Sequence, residues 1–159
     1  MDFLAFKKKL SQRAKQLSYE QRVALGLDLC NRLFPDYRTF AHASGWGNPD
    51  VLLDAIRFVA SGSRDPQAIS RHTDAIEEVT PDTEDFGGAD YALSACCALI
   101  ALLQQVEEPE DRESFEEIAL AYYDTIDGRI QEQADDEPDE QLLARHPLLL
   151  EACRILFEA

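Results

Sequence analysis

Residues 89–106, ADYALSACCALIALLQQV, are apolar almost all the way round a helix. Asp90, Ser94, Gln104 and Gln105 interrupt the run too often for a membrane span. A helix of this kind in water must be covered on every side by other elements. The rest of the chain therefore has to supply the cover, with this helix at the centre. Leu93, Cys96, Leu99, Ile100 and Leu103 are the residues expected to be buried.

The covering elements read as helices. No stretch alternates β-branched with polar residues, and no Asn-Gly or Asp-Gly joins two such runs. Phe3, Phe6, Leu10, Ala14 and Leu17 recur at helical steps and share a face. Ser18 and Gln21 have the spacing of a capping box for the next helix, which continues through Leu25, Leu29, Cys30 and Leu33. Pro35 is expected to end that helix or to start a short new one reaching Ser44. Asn48-Pro49 and Asp65-Pro66 each pair a cap with a proline at the first helical position, where no N–H is needed. The first opens a helix to the Ser61-Gly62-Ser63 break, the second one to about Val79. TPDTEDFGG, residues 80–88, is a loop. Residues 110–133 form a long amphipathic helix with Phe115, Ile118, Ala119, Tyr122 and Ile126 inward, ADDEPDEQ is a hinge, and residues 141–158 make one or two short helices. The fold class is thus all-α: a single domain over residues 1–159, a bundle of about seven to nine helices. A chain of 159 residues buries roughly 70% of its unfolded surface and needs no metal or disulfide to hold it.

The segment CNRLFPDYRTFAHASGWGNPDVL, residues 30–52, is crowded for a connection. Phe34, Tyr37, Phe40 and Ala41 share a helical face, and Gly45 and Gly47 flank the single tryptophan, Trp46. Aromatics at helical spacing beside a helix end are more often core than ligand cage, because they carry large buried area. Trp46 is expected to pack on Phe34, Tyr37 or Phe40 and close a corner between two helices.

CNRLFPDYxxF followed by GxG, then AIEEVTPDTEDFGGADYALSACCAL and HPLLLE at residues 146–151, resembles the bacterial all-helical family catalogued as domain of unknown function 416. The resemblance covers about residues 18–156, and its shared pieces include the acidic PxxxDF turn at residues 81–86. It implies an α-helical, cytoplasmic bacterial protein. It carries over no activity and no catalytic residues, and its gene neighbourhood suggests histidine-kinase signalling.

Motifs for chemistry are missing. His42, His72 and His146 stand far apart, with no HExxH and no cysteine–histidine cluster. Glu113, Glu116 and Glu117 lack the paired ExxH of a di-iron bundle, and Asp82, Glu84, Asp85 and Asp90 lack EF-hand spacing. Ser94 has no GxSxG elbow, and no P-loop or GxGxxG occurs. No catalytic residue, metal site or cofactor is assigned. Cys30, Cys96, Cys97 and Cys153 form no CxxC and read as free buried thiols in a reducing compartment. With no secretory leader pattern, the expected location is the cytoplasm.

Charge is the outlier. Thirty-one acids oppose 15 Lys plus Arg, a net of −16. The first 22 residues hold six basic and two acidic groups, so the remaining 137 carry −20. Such a surface repels nucleic acid and anionic membrane and attracts basic partners. Glu107, Glu108, Glu110, Asp111, Glu113, Glu116 and Glu117 fall within eleven residues; Glu132, Asp135, Asp136, Glu137, Asp139 and Glu140 form a second cluster. A helix start favours acids and accounts for about three of the first set. The others repel one another at three- and four-residue spacing. The functional expectation is an acidic protein-binding module: an immunity protein that neutralises a cognate basic bacterial toxin, such as a nuclease, by direct binding. Its partner-binding residues would be Glu107, Glu108, Glu110, Asp111, Glu113, Glu117, Asp135 and Asp136. Homodimerisation stays open. The alternatives are a signalling accessory protein associated with histidine kinases, and an enzyme with a site of unrecognised type.

Overall fold

The computed structural model describes residues 2–134, 143 and 145–158. Seven helices lie within them, and among the described residues there is no strand. They are α1 (Phe3–Gln16), α2 (Tyr19–Ser44), α3 (Pro49–Ala60), α4 (Pro66–Glu78), α5 (Asp90–Glu107), α6 (Arg112–Gln133) and α7 (Pro147–Glu158).

Local chemistry sets most of the boundaries. Asp2 caps α1, and Ser18 and Gln21 form the reciprocal capping box that opens α2. Asn48 and Asp65 cap α3 and α4, each followed by its proline. Asp111 accepts from the Ser114 N–H and caps α6.

Pro35 is where observation departs from expectation. It neither ends nor starts a helix: α2 runs unbroken for 26 residues with Pro35 inside. An interior proline costs a helix roughly 3 kcal/mol and frees the carbonyl four residues back. Here Pro35 and Asn31 are both on the exposed face, so the freed carbonyl meets water. On the opposite face Leu29, Cys30, Leu33, Tyr37 and Ala41 are buried, and that burial holds the helix together across the proline.

α5 is the centre. It packs against α2, α3, α4 and α6, while α1 and α7 cover the far side of α6. Ala92, Ala95, Ala98 and Ala101 are buried along it and let its neighbours approach closely. On α2, Gly26 makes the matching concession: a Cβ there would come within 3.0 Å of Leu102 Cδ1 and 3.2 Å of Ile118 Cδ1. Cys96, Leu99 and Leu103 are fully buried as expected, whereas Leu93 and Ile100 are half-buried. Phe6 stacks on Tyr123 at 4.1 Å and meets the Phe157 edge at 5.6 Å, locking α1 to α6 and α7. Phe3, expected on the inner face, is exposed at the first turn of α1.

The thiols are less uniform than expected. Cys30 and Cys96 are buried, Cys153 is partly covered, and Cys97 is exposed. One residue turns a helix by about 100°, so neighbours on α5 look in different directions. Burial pushes the Cys96 thiol up to about 12 and raises Cys30 further still. No described helix is long and apolar enough to cross a membrane.

Candidate functional site

Two regions concentrate chemistry. The first is the turn from α5 to α6. Glu107 ends α5, Glu108 follows as its C-cap, and Glu110 and Asp111 lead into α6. Glu107, Glu108, Glu110, Glu113 and Glu117 are exposed, and among the described residues none of them is in an ion pair. Asp111 is different. It is half-buried, spends one oxygen on the α6 cap and accepts from Gln104 Nε2 at 2.9 Å with the other. Its role is therefore chiefly structural. Asp135 and Asp136 lie outside the described residues. Glu132, from the second cluster, sits at the opposite end of α6 from Glu113, about 28 Å along a helix rising 1.5 Å per residue.

The turn is held from beneath by Arg22, which is only 4% exposed. Its Nε donates to Gln105 Oε1 at 3.1 Å, and its two terminal nitrogens donate to the carbonyls of Leu17 and Pro109, each at 2.7 Å. A longer bond of 3.3 Å reaches the Ala14 carbonyl. Gln105, itself fully buried, donates through Nε2 to the carbonyls of Glu108 and Pro109. One guanidinium thus ties the end of α1 and the α5–α6 turn together, and its charge lowers the cost of gathering acids above it.

The second region is a cleft of about 740 Å³ between the last turns of α2, the loop before α5 and the end of α6. Phe40 and Phe86 wall it, their ring centroids 5.5 Å apart and nearly perpendicular. Arg129 pairs with Asp36 across 93 residues of sequence and lays its guanidinium 5.1 Å from the Tyr91 ring centre. Gly128 lies against the same ring, where a Cβ would sit in ordinary contact, 3.4 Å from Tyr91. Asp36 Oδ2 and Tyr91 Oη are buried and make no hydrogen bond among the described residues. Burial, with the neighbouring Glu132 carboxylate, pushes the Tyr91 hydroxyl up to about 12. Glu132 is close enough to couple to the Tyr91 hydroxyl.

The crowded segment of residues 30–52 supplies one wall of this cleft and also the joint beside it. Tyr37 is fully buried; it donates to the Val79 carbonyl at 2.6 Å and accepts from the Asn48 N–H at 3.2 Å. That joins α2 to the start of α3 and the end of α4. Gly47 has φ 89°, and a Cβ on it would strike the Tyr37 hydroxyl. Trp46 packs on Phe40 at 6.3 Å, one of its expected partners, and more closely on Phe86 at 5.1 Å. Among the described residues no group of three His, Cys, Asp or Glu side chains converges as a metal site would.

A family model described as "Protein of unknown function (DUF416)" matches residues 9–157. The chain belongs to the DUF416 family. It is 25% identical over 151 residues to "Uncharacterized protein YjaG" of Escherichia coli (strain K12), covering 92% of this chain and 77% of that protein. A crystal structure of a DUF416 family protein from Shewanella baltica OS155 superposes with a TM-score of 0.80 at 25% identity, over 93% of this chain and 80% of the other. The DUF416 model spans both the acidic turn and the cleft.

Sequence reasoning found the acids of the turn and missed what organises them. It also passed over the cleft, although it singled out residues 30–52 and 80–88, which supply two of its sides. The only local signal was a run of aromatics and acids at helical spacing, which a helix joint produces equally well.

Proposed function

We propose that this DUF416 chain is an acidic protein-binding module that neutralises a basic protein partner by direct, stoichiometric contact, as an immunity protein does with a cognate toxin. The observation that carries this reading is the set of exposed glutamates on a turn braced by buried Arg22. Helix physics accounts for Asp111 and Glu113 at the positive end of α6. It disfavours Glu107 in the last turn of α5 and Glu108 at its C-cap, where the helix dipole already presents negative charge. Acids kept against local stability on a rigid platform suit long-range attraction of a basic surface. The chain acts without catalysis, in the cytoplasm, where its four free cysteines stay reduced.

The test is in-cell photo-crosslinking from a photoreactive residue at position 113. A covalent adduct with a protein of net positive charge is expected, and it should fade when Glu110 and Glu117 are reversed to lysine. An acidic adduct, or one indifferent to the reversal, would refute the reading.

A further inference from the structure

We propose that the cleft between α2, the loop before α5 and α6 binds an organic cation, a guanidinium or alkylammonium group. This goes beyond the acidic turn, which lies at the other end of α6. Its volume of about 740 Å³ falls within the range of small-ligand sites.

The charge inside the cleft selects the sign of the ligand. Among the described residues that line it Arg129 is the one cation, and Asp36 pairs with it. Asp85 and Glu132 remain, both exposed on the lining and, among the described residues, in no ion pair. An anion would have to displace Asp36 from Arg129 and pass these two carboxylates within a chain of net charge −16. A cation meets no such barrier. Phe40 and Phe86 line the cleft with aromatic rings, the side chains on which guanidinium and ammonium groups settle.

A second observation marks the place as a site. Asp36 Oδ2 and Tyr91 Oη, on residues that line the cleft, are buried polar atoms without a hydrogen-bond partner among the described residues. Nearly all buried polar atoms in folded proteins are paired, so two unpaired atoms just behind one cleft wall are hydrogen-bonding capacity that a small side-chain shift would turn toward an entering donor.

Trp46 supplies the readout. It is the chain's only tryptophan and stacks 5.1 Å from Phe86, which lines the cleft. The full chain is titrated with agmatine, with a short peptide carrying one arginine, with the same peptide carrying neutral citrulline, and with succinate, following Trp46 fluorescence and heat. Saturable binding of agmatine and the arginine peptide is expected. Binding of the peptide alone would identify the source of the cation as a protein side chain, and binding of agmatine alone as a free amine. Glu132→Gln and Asp85→Asn, both at exposed positions, should each weaken binding about tenfold while leaving the melting temperature in place. Three results would overturn the proposal: no saturable response to either cation, equal binding of the citrulline peptide or succinate, or titrations unchanged in both carboxylate variants. None of these involves a protein partner, so the cleft and the acidic turn stand or fall separately.

Discussion

Two corners of this molecule are each built around one buried polar side chain, and they end differently. At the first, Tyr37 reaches the Val79 carbonyl and the Asn48 N–H, joining three helices through a neutral hydroxyl. At the second, Arg22 reaches three carbonyls and Gln105. The tyrosine corner borders a cleft with two buried atoms left unpaired among the described residues. At the arginine corner every guanidinium nitrogen is bonded, and the glutamates stand outside in water. A hydroxyl serves two partners and leaves the space beyond it open; a guanidinium serves five directions and consolidates everything in reach. The first corner suits admitting a small group, the second presenting a rigid charged surface.

Several substitutions separate the two. Arg22→Met should be the most damaging, because it strips partners from Gln105 and three buried or part-buried carbonyls. A loss of about 3 kcal/mol or more is expected in denaturant unfolding. Tyr37→Phe keeps the ring and removes only the hydroxyl, so it should cost roughly 1–3 kcal/mol by the same assay. If the two losses came out equal, the contrast between the corners would collapse. Trp46→Ala should cost about 2 kcal/mol in thermal melts. That is less than the 3–5 typical of a core tryptophan, because Trp46 is half-buried and touches Phe40 and Phe86 from one side of the joint.

The smallest effect is a titration. The Tyr91 hydroxyl ionises near pH 10 when unfolded and about 12 when folded. The folded chain therefore holds this proton longer, and Tyr91 favours folding fully below pH 10. That contribution falls as pH rises from 10 through 12. Tyr37, Tyr122 and Tyr123 are raised as well, so ultraviolet titration should show a late tyrosine step that Tyr91→Phe reduces by one residue.

How much of this could be read from the chain follows the range of the interactions. The Ser18–Gln21 box, the Asn48-Pro49 and Asp65-Pro66 starts and the apolar α5 are local, and each appeared where its residues implied. Gly45 and Gly47 took positive φ beside Trp46 for the same reason. Pro35 misled because a local rule met a long-range one: the buried face of α2 outweighed one lost hydrogen bond. Arg22 looked like one more basic residue near the start, since its partners Gln105 and Pro109 lie 83 and 87 residues away. Asp36 and Arg129 are 93 apart, and nothing in either segment announces the other. The acids of the turn were visible, but only the fold distinguishes Asp111, a cap, from the exposed glutamates around it.

The proposed function turns on whether the braced acidic turn steers a basic partner. Its most direct test is the association rate of the partner captured from position 113, measured for the wild-type chain and for Glu110→Lys/Glu113→Lys/Glu117→Lys at several salt concentrations. All three side chains are exposed, so the variant should keep its helix content. The wild-type rate should fall steeply as salt rises above 0.1 M, where charges are screened beyond about 10 Å. At low salt it should exceed that of the variant by tenfold or more, approaching ~10⁸ M⁻¹s⁻¹ against a neutral ~10⁵–10⁶. Equal rates for the two chains, flat with salt, would contradict it.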